Sequence, residues 1–274
     1  PLLECALNEL GRHHDALRLC YFQTAEGWHQ AYSTSDEVAP LSWVNISQLG
    51  DAARQQAVEE TAQLAEASLS LQSGLLWRVV YFDSGSDEPG RLLFIVHHLA
   101  VDGISWRPLM EDLGTAYNQI KEQRAVQLPA KTTSYKAWAQ RLREFAGSES
   151  LRDELPYWQM ITDEQRSVEP VKSLALDRAS DTNTEGSAST LRISLSATET
   201  QALLHQVPAA YNTQVNDVLL TALLRSWSQW SGSRVLFTNL EGHGREHLFE
   251  DVDLSRTVGW FTSVFPVRLE LSAS

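Results

Sequence analysis

Apolar residues recur at helical spacing in "LLECALNELGRHH", which predicts a helix over 2–13. "DALRLCYF" and "WHQAYS" alternate instead, and they read as two strands either side of a turn at Glu26 and Gly27. "DAARQQAVEETAQLAEASLS" is rich in strong helix formers, with Asp51 placed to cap it. "LLWRVVYF" and "RLLFIVHH" are β-rich runs parted by "DSGSDEPG", the pattern of a hairpin. An amphipathic helix follows over 104–123, then two shorter ones in "YKAWAQRLREFA" and "ELPYWQMI".

The stretch 176–189, "LDRASDTNTEGSAS", is polar, small and aperiodic, so it reads as a linker or exposed loop. Beyond it come a strand "TLRISLS", a helix "ATETQALLHQV", a long helix "VNDVLLTALLRSWSQWSG", a strand "RVLFTNL" and a last strand-like run "WFTSVFPVRLEL". Strands and helices alternate in both halves, which predicts an α/β chain with helices packed on mixed sheets. The expected division is a first subdomain over 1–175, the linker over 176–189, and a second subdomain beginning at 190.

Composition narrows the class. Hydrophobic residues are 43% and charged residues 21%, a globular balance. Arg and Lys number 22 against 35 Asp and Glu, a formal charge of −13 that argues against nucleic acid as partner. No apolar run is long enough to span a membrane, and no signal peptide precedes the first helix, so a cytoplasmic protein is expected. The two cysteines, Cys5 and Cys20, are read as reduced core thiols.

The candidate chemistry is at "LFIVHHLAVDGISW". A buried strand ends in His97 and His98, and four residues later comes Asp102-Gly103. A strand end delivers a side chain rigidly into a cleft, and histidine is the usual general base near neutral pH. Gly103 would supply a turn with positive φ. The bland alternative is a pair of satisfied polar groups at a strand end.

HHLAVDGISW resembles the HHxxxDG signature of the condensation-domain superfamily of nonribosomal peptide synthetases, which has the chloramphenicol-acetyltransferase-like fold. "NDVLLTALLRSW", "EGHGRE" (241–246) and "RTVGWFTSVFPVRLE" (256–270) resemble consecutive motifs of its epimerization branch. "HDALRLCYF" and "GLLWRVVYF" are similar to family segments too, with His13 standing where the family has Arg, and Arg18 retained. The family's first and last motifs are absent, so the chain is expected to be a fragment whose second subdomain is incomplete.

The resemblance implies an activity. An aminoacyl or peptidyl thioester on a carrier protein is inverted at Cα, and the arm holding it is the carrier's phosphopantetheine, so no cofactor of the chain's own is implied. Neighbouring synthetase domains are the other expected partners. His98 and Glu241 take the two proton-transfer roles by resemblance. Asp102 is assigned to an ion pair shaping its loop, with Arg18 as candidate partner, or alternatively to orienting His98. His97 orients or packs. Gly242 and Gly244 let the backbone turn or approach closely after Glu241 and offer amides to an enolate oxygen.

His243 and His247 are four apart, but Gly244 weakens a helix there and no metal site is expected. Trp227 and Trp230 read as core, and Glu250, Asp251 and Asp253 as a solvated loop. Two rival functions remain: a condensation domain forming amide bonds, and a silent docking module.

Overall fold

The structure, a computed structural model, describes residues 1–33, 41–167 and 184–272. Its chain divides into two compact units. One comprises 1–147 and 243–263; the other comprises 148–242 and 264–274. The expected division at 176–189 therefore differs in two ways. Residues 148–167 go with the second unit, and the chain from His243 returns to the first. Of the expected linker, 176–183 lie outside the described residues, and 185–187 form a short 3₁₀ turn.

In the first unit, α1 (Leu2–His13) is followed by a 3₁₀ turn (Asp15–Arg18) and the hairpin β1 (Leu19–Thr24) and β2 (Gly27–Tyr32). Thr24 pairs with Gly27 across the loop, and Gly27 has φ 117°, which only glycine adopts freely. A mixed sheet has the order β3-β4-β5: β3 (Leu41–Asn45) runs parallel to β4 (Trp77–Asp83), and β4 antiparallel to β5 (Arg91–Val96). β4 is central and covered on both faces, which explains its nearly unbroken apolar run. Alternation sends Trp77 and Val79 into the core shared with α1 and α3 (Trp106–Lys121). Val80 and Phe82 point the other way, into a cluster with Ile46 and with Ala57, Val58 and Ala65 of α2 (Asp51–Ala67). α2 starts on Gly50 as its cap, so Asp51 sits inside the first turn, where its charge faces the helix dipole, rather than at the cap position expected.

α1 buries Ala6, Leu7 and Leu10, and α3 buries Leu109, Leu113 and Ala116; these stripes belong to one core. The two cysteines are not core residues as expected: Cys5 is on the exposed face of α1, and Cys20 is half-buried in β1. α4 (Tyr135–Ala146) is capped by Ser134, whose hydroxyl accepts from the amide of Ala137. Residues 243–263 carry no helix, yet they belong to this unit by packing: Val258 enters the α1–α3 core, and Leu254 and Phe261 pack with Trp138 of α4.

The second unit holds α5 (Glu149–Arg152), α6 (Leu155–Ser167), α7 (Ala197–Gln201), a π turn (Ala202–Gln206), α8 (Val207–Tyr211), α9 (Val215–Ser231), β6 (Val235–Gly242) and β7 (Ser263–Glu270). Ser196 and Glu199 form a capping box for α7. β6 and β7 pair with one another. Trp227 is half-buried, with its indole N–H donating to the carbonyl of Val235 at 3.1 Å, while Trp230 is exposed.

The strand expected over 190–196 does not form. Leu191 and Ile193 are 92% and 88% exposed, and among the described residues nothing pairs with this extended segment. An alternating pattern makes a strand only where a ladder partner lies beside it.

Candidate active site

β5 ends at Val96, and the next residues turn. The His97 amide donates to the Leu76 carbonyl at 2.7 Å, its carbonyl accepts from Ala100, and its Nδ1 accepts from the Leu99 amide. His97 is thus spent on holding the turn. His98 projects to the surface, and its ring lies edge-on to Trp260, with centroids 5.6 Å apart at 62°.

Asp102 is buried and heavily bonded. Its carboxylate accepts from the Ser105 amide (2.8 Å), the Ser105 hydroxyl (2.7 Å), the Phe261 amide (3.3 Å) and the guanidinium of Arg245 (2.9–3.2 Å). The two charged side chains are only 7% and 5% exposed. Arg245 spends its remaining hydrogens on the carbonyls of Leu254 and Thr257 and on the Ser105 hydroxyl, and its guanidinium lies 3.9 Å from the Phe261 ring centroid. The ion pair expected at Asp102 is therefore made with Arg245 of EGHGRE and not with Arg18. Arg18 bonds Asp15 at 2.7 Å and the carbonyls of Gly11 and Arg12, because its position just past α1 keeps it at that helix's end.

The expected positive φ at Gly103 is also absent, and a Cβ there would meet nothing. The Asp102 carboxylate makes the turn instead, accepting from the Ser105 amide three residues on, just before α3.

Glu241 is an exposed residue near the end of β6, and Gly242 closes that strand without positive φ. Both belong to the second unit, whereas Gly244 and Arg245 belong to the first. Gly244 has φ 67°, and a Cβ there would overlap the Phe261 carbonyl. Gly244→Ala is expected to destabilise the first unit by roughly 1–3 kcal/mol from backbone strain alone, with the clash added, read as a lowered melting temperature.

His243 and His247 lie on an irregular segment, with His243 near Glu246 at 3.7 Å. Asp251 pairs with Arg141, and the Asp253 carboxylate accepts from the Ser255 amide.

A second polar cluster was not singled out from the sequence. His14 Nε2 lies 3.0 Å from Asp112, His13 Nε2 lies 4.0 Å from it, and Arg256 holds the other carboxylate oxygen at 2.5 Å. His13, His14 and Arg256, with Lys131 and Tyr135, line a small cavity. The three potential ligand atoms lie within 4.8 Å of one another. The donor set suits a metal poorly: Asp112 is already matched by Arg256, and Lys131 and Arg256 would repel a dication.

Burial, reinforced by His13, Arg256 and Lys131, pushes the His14 imidazole down to about 3, so it is neutral in the fold and can donate to Asp112. Burial also lowers His13 and, against Arg256, raises Asp112. A histidine depressed in the fold binds fewer protons than in the unfolded chain between pH 3 and 6.5. Its contribution is therefore intact above 6.5 and is lost, at about 1.4 kcal/mol per pH unit, as pH falls through that window. Moving from pH 7.5 to 5 should lower the wild-type melting temperature by several degrees more than that of His14→Gln.

Among relatives, the chain is 49% identical over 270 residues to one of the linear gramicidin synthase proteins of Brevibacillus parabrevis, covering 98% of this chain and 5% of the relative. It is 36% identical over 271 residues to tyrocidine synthase 1 of the same organism, covering 98% of this chain and 24% of the relative. The chain thus spans a small part of the length of the curated relatives it matches.

Among solved structures, the epimerization domain from the third module of tyrocidine synthetase B superposes with a TM-score of 0.85 at 34% identity, covering 98% of this chain and 58% of that one. The first condensation domain of the calcium-dependent antibiotic synthetase superposes with a TM-score of 0.71 at 19% identity, covering 99% and 60%, which speaks for the fold alone. A chloramphenicol-acetyltransferase-like α/β fold agrees with these superpositions. The model of the condensation-domain family matches residues 1–274, and the chain belongs to that family.

Proposed function

We propose that the chain is part of an epimerization domain of a nonribosomal peptide synthetase. It converts an L-aminoacyl or L-peptidyl thioester on a carrier protein to the D form. The observation that carries this reading is the Asp102–Arg245 ion pair, which joins the Arg of EGHGRE to the Asp of HHxxxDG. Identity of 34% to an epimerization domain, over 98% of this chain, supports the same branch.

The chemistry is proton transfer at one carbon. A base takes the Cα proton, the electron pair moves into the thioester carbonyl as an enolate, and an acid returns a proton to the opposite face. His98 and Glu241 are the two groups, one imidazole and one carboxylate, each needing hydrogen-bond reach of Cα. The thioester arm is the phosphopantetheine of the carrier protein, and that carrier and the neighbouring synthetase domains are the partners.

The test uses the synthetase module carrying this chain, with an L-aminoacyl or L-peptidyl thioester loaded on its carrier, in deuterated water. Deuterium at Cα together with D product is the expected result. Amide formation with an added acceptor and no exchange would move the chain to the condensation branch. Silence in both assays, with a competent carrier, would leave a docking module.

A further inference from the structure

Trp260 meets His98 edge-on, yet Trp260 is 38% exposed and His98 is exposed as well, so burial does not fix how the two rings meet. Their orientation depends on the backbones that carry them. The backbone under Trp260 is pinned at three consecutive residues. Gly259 donates its amide to the Ser105 hydroxyl (3.1 Å) and accepts from it (3.0 Å). The Trp260 carbonyl accepts from the Tyr135 hydroxyl at 2.9 Å. The Phe261 amide donates to Asp102. Gly259 packs so closely on Tyr135 that a Cβ would lie 2.7 Å from its ring.

Ser105 is the hub. It is fully buried, and its single hydroxyl hydrogen is shared between Asp102 and the Gly259 carbonyl, while its oxygen accepts from the Gly259 amide and from Arg245. Both ends of the clamp thus meet at one hydroxyl: the turn that follows His98, and the strap that carries Trp260.

We propose that Ser105 is a positioning residue that acts through Trp260, fastening the 259–261 strap to the Asp102 turn so that the indole ring holds the His98 ring in its working orientation. The proposal rests on the reading of His98 as a proton-transfer group. The experiment therefore has one arm that depends on turnover and one that does not.

In the synthetase module, Ser105→Ala and Trp260→Leu are each expected to lower kcat for Cα deuterium exchange roughly tenfold, with KM within about twofold. Trp260→Phe, which keeps an aromatic ring, should retain at least about half the wild-type kcat. Because Ser105 acts through Trp260, the double variant Ser105→Ala/Trp260→Leu should be no slower than Trp260→Leu alone. In the second arm, carbethoxylation of His98 by diethyl pyrocarbonate, followed by peptide mass spectrometry, should quicken about threefold in both single variants and no further in the double. Effects that multiply in the double variant, or an unchanged His98 modification rate in Trp260→Leu, overturn the clamp. Trp260 lies near the surface, so that variant remains decisive if Ser105→Ala folds poorly. A wild type that exchanges nothing while its His98 modification follows the expected order would sink the epimerase reading and leave the clamp standing.

Discussion

His98→Ala and Glu241→Gln are each expected to slow epimerization by about 10²- to 10⁴-fold, the usual worth of a positioned acid or base. The sharper result is an asymmetry between substrates. Inversion needs one group on each face of Cα. The group that takes the proton from the L-thioester must return one to make L from D, and the other group does the converse. A variant missing one group can still remove and return a proton on the remaining face. It therefore exchanges deuterium without inversion into one enantiomer and leaves the other untouched. His98→Ala and Glu241→Gln should show opposite preferences when L- and D-loaded carriers are compared in single turnovers. The pairing that emerges assigns each residue its face. The same preference in both variants would mean that one group serves both faces and that the two-base reading is wrong.

How much of this was legible in the chain depends on how far apart the interacting residues lie. α1, α4 and α9 follow local periodicity and caps, and they fall within a residue or so of their expected spans. β3 was missed because its five residues carry too short a pattern, and the residues it pairs with on the parallel strand β4 lie 38 further along the chain. The segment 190–196 failed in the opposite sense, since Leu191, Ile193 and Leu195 alternate without a ladder.

The turn at Asp102 shows the same divide within the site. The bond from the Ser105 amide to Asp102 is a local turn three residues long, of a kind that Asp followed by Gly signals in a sequence. The partner of Asp102, 143 residues away, could not, because no spacing rule links residues that distant. Arg18 was the candidate because its motif kept it, but its reach is local. The proton-transfer roles proposed for His98 and Glu241 come from resemblance alone. The role of Trp260 depends on where a strap without helix or strand comes to rest, which periodicity does not encode.

Arg245→Ala is expected to be the most damaging substitution for the stability of the first unit. Removing one partner of a buried pair strands the other charge, which costs roughly 3–5 kcal/mol. Here it also frees the carbonyls of Leu254 and Thr257 and uncovers the Phe261 ring, so the strap that carries Trp260 loses its anchor. A fall of roughly 10 °C in melting temperature corresponds to that loss. Arg245→Lys should recover little. One ammonium cannot reach the Asp102 carboxylate and two backbone carbonyls in the fixed fork that guanidinium provides. Asp102→Asn alone strands the guanidinium instead. The pair Asp102→Asn/Arg245→Met removes both charges together, and it should be more stable than the sum of the single losses by a few kcal/mol in a double-mutant cycle. Hydrogen exchange separates this from general loosening: amides of 254–261 should lose protection in Arg245→Ala while those of β4, buried on both faces at the centre of the sheet, keep theirs. Equal loss at both places would show that the ion pair supports the whole unit rather than the strap.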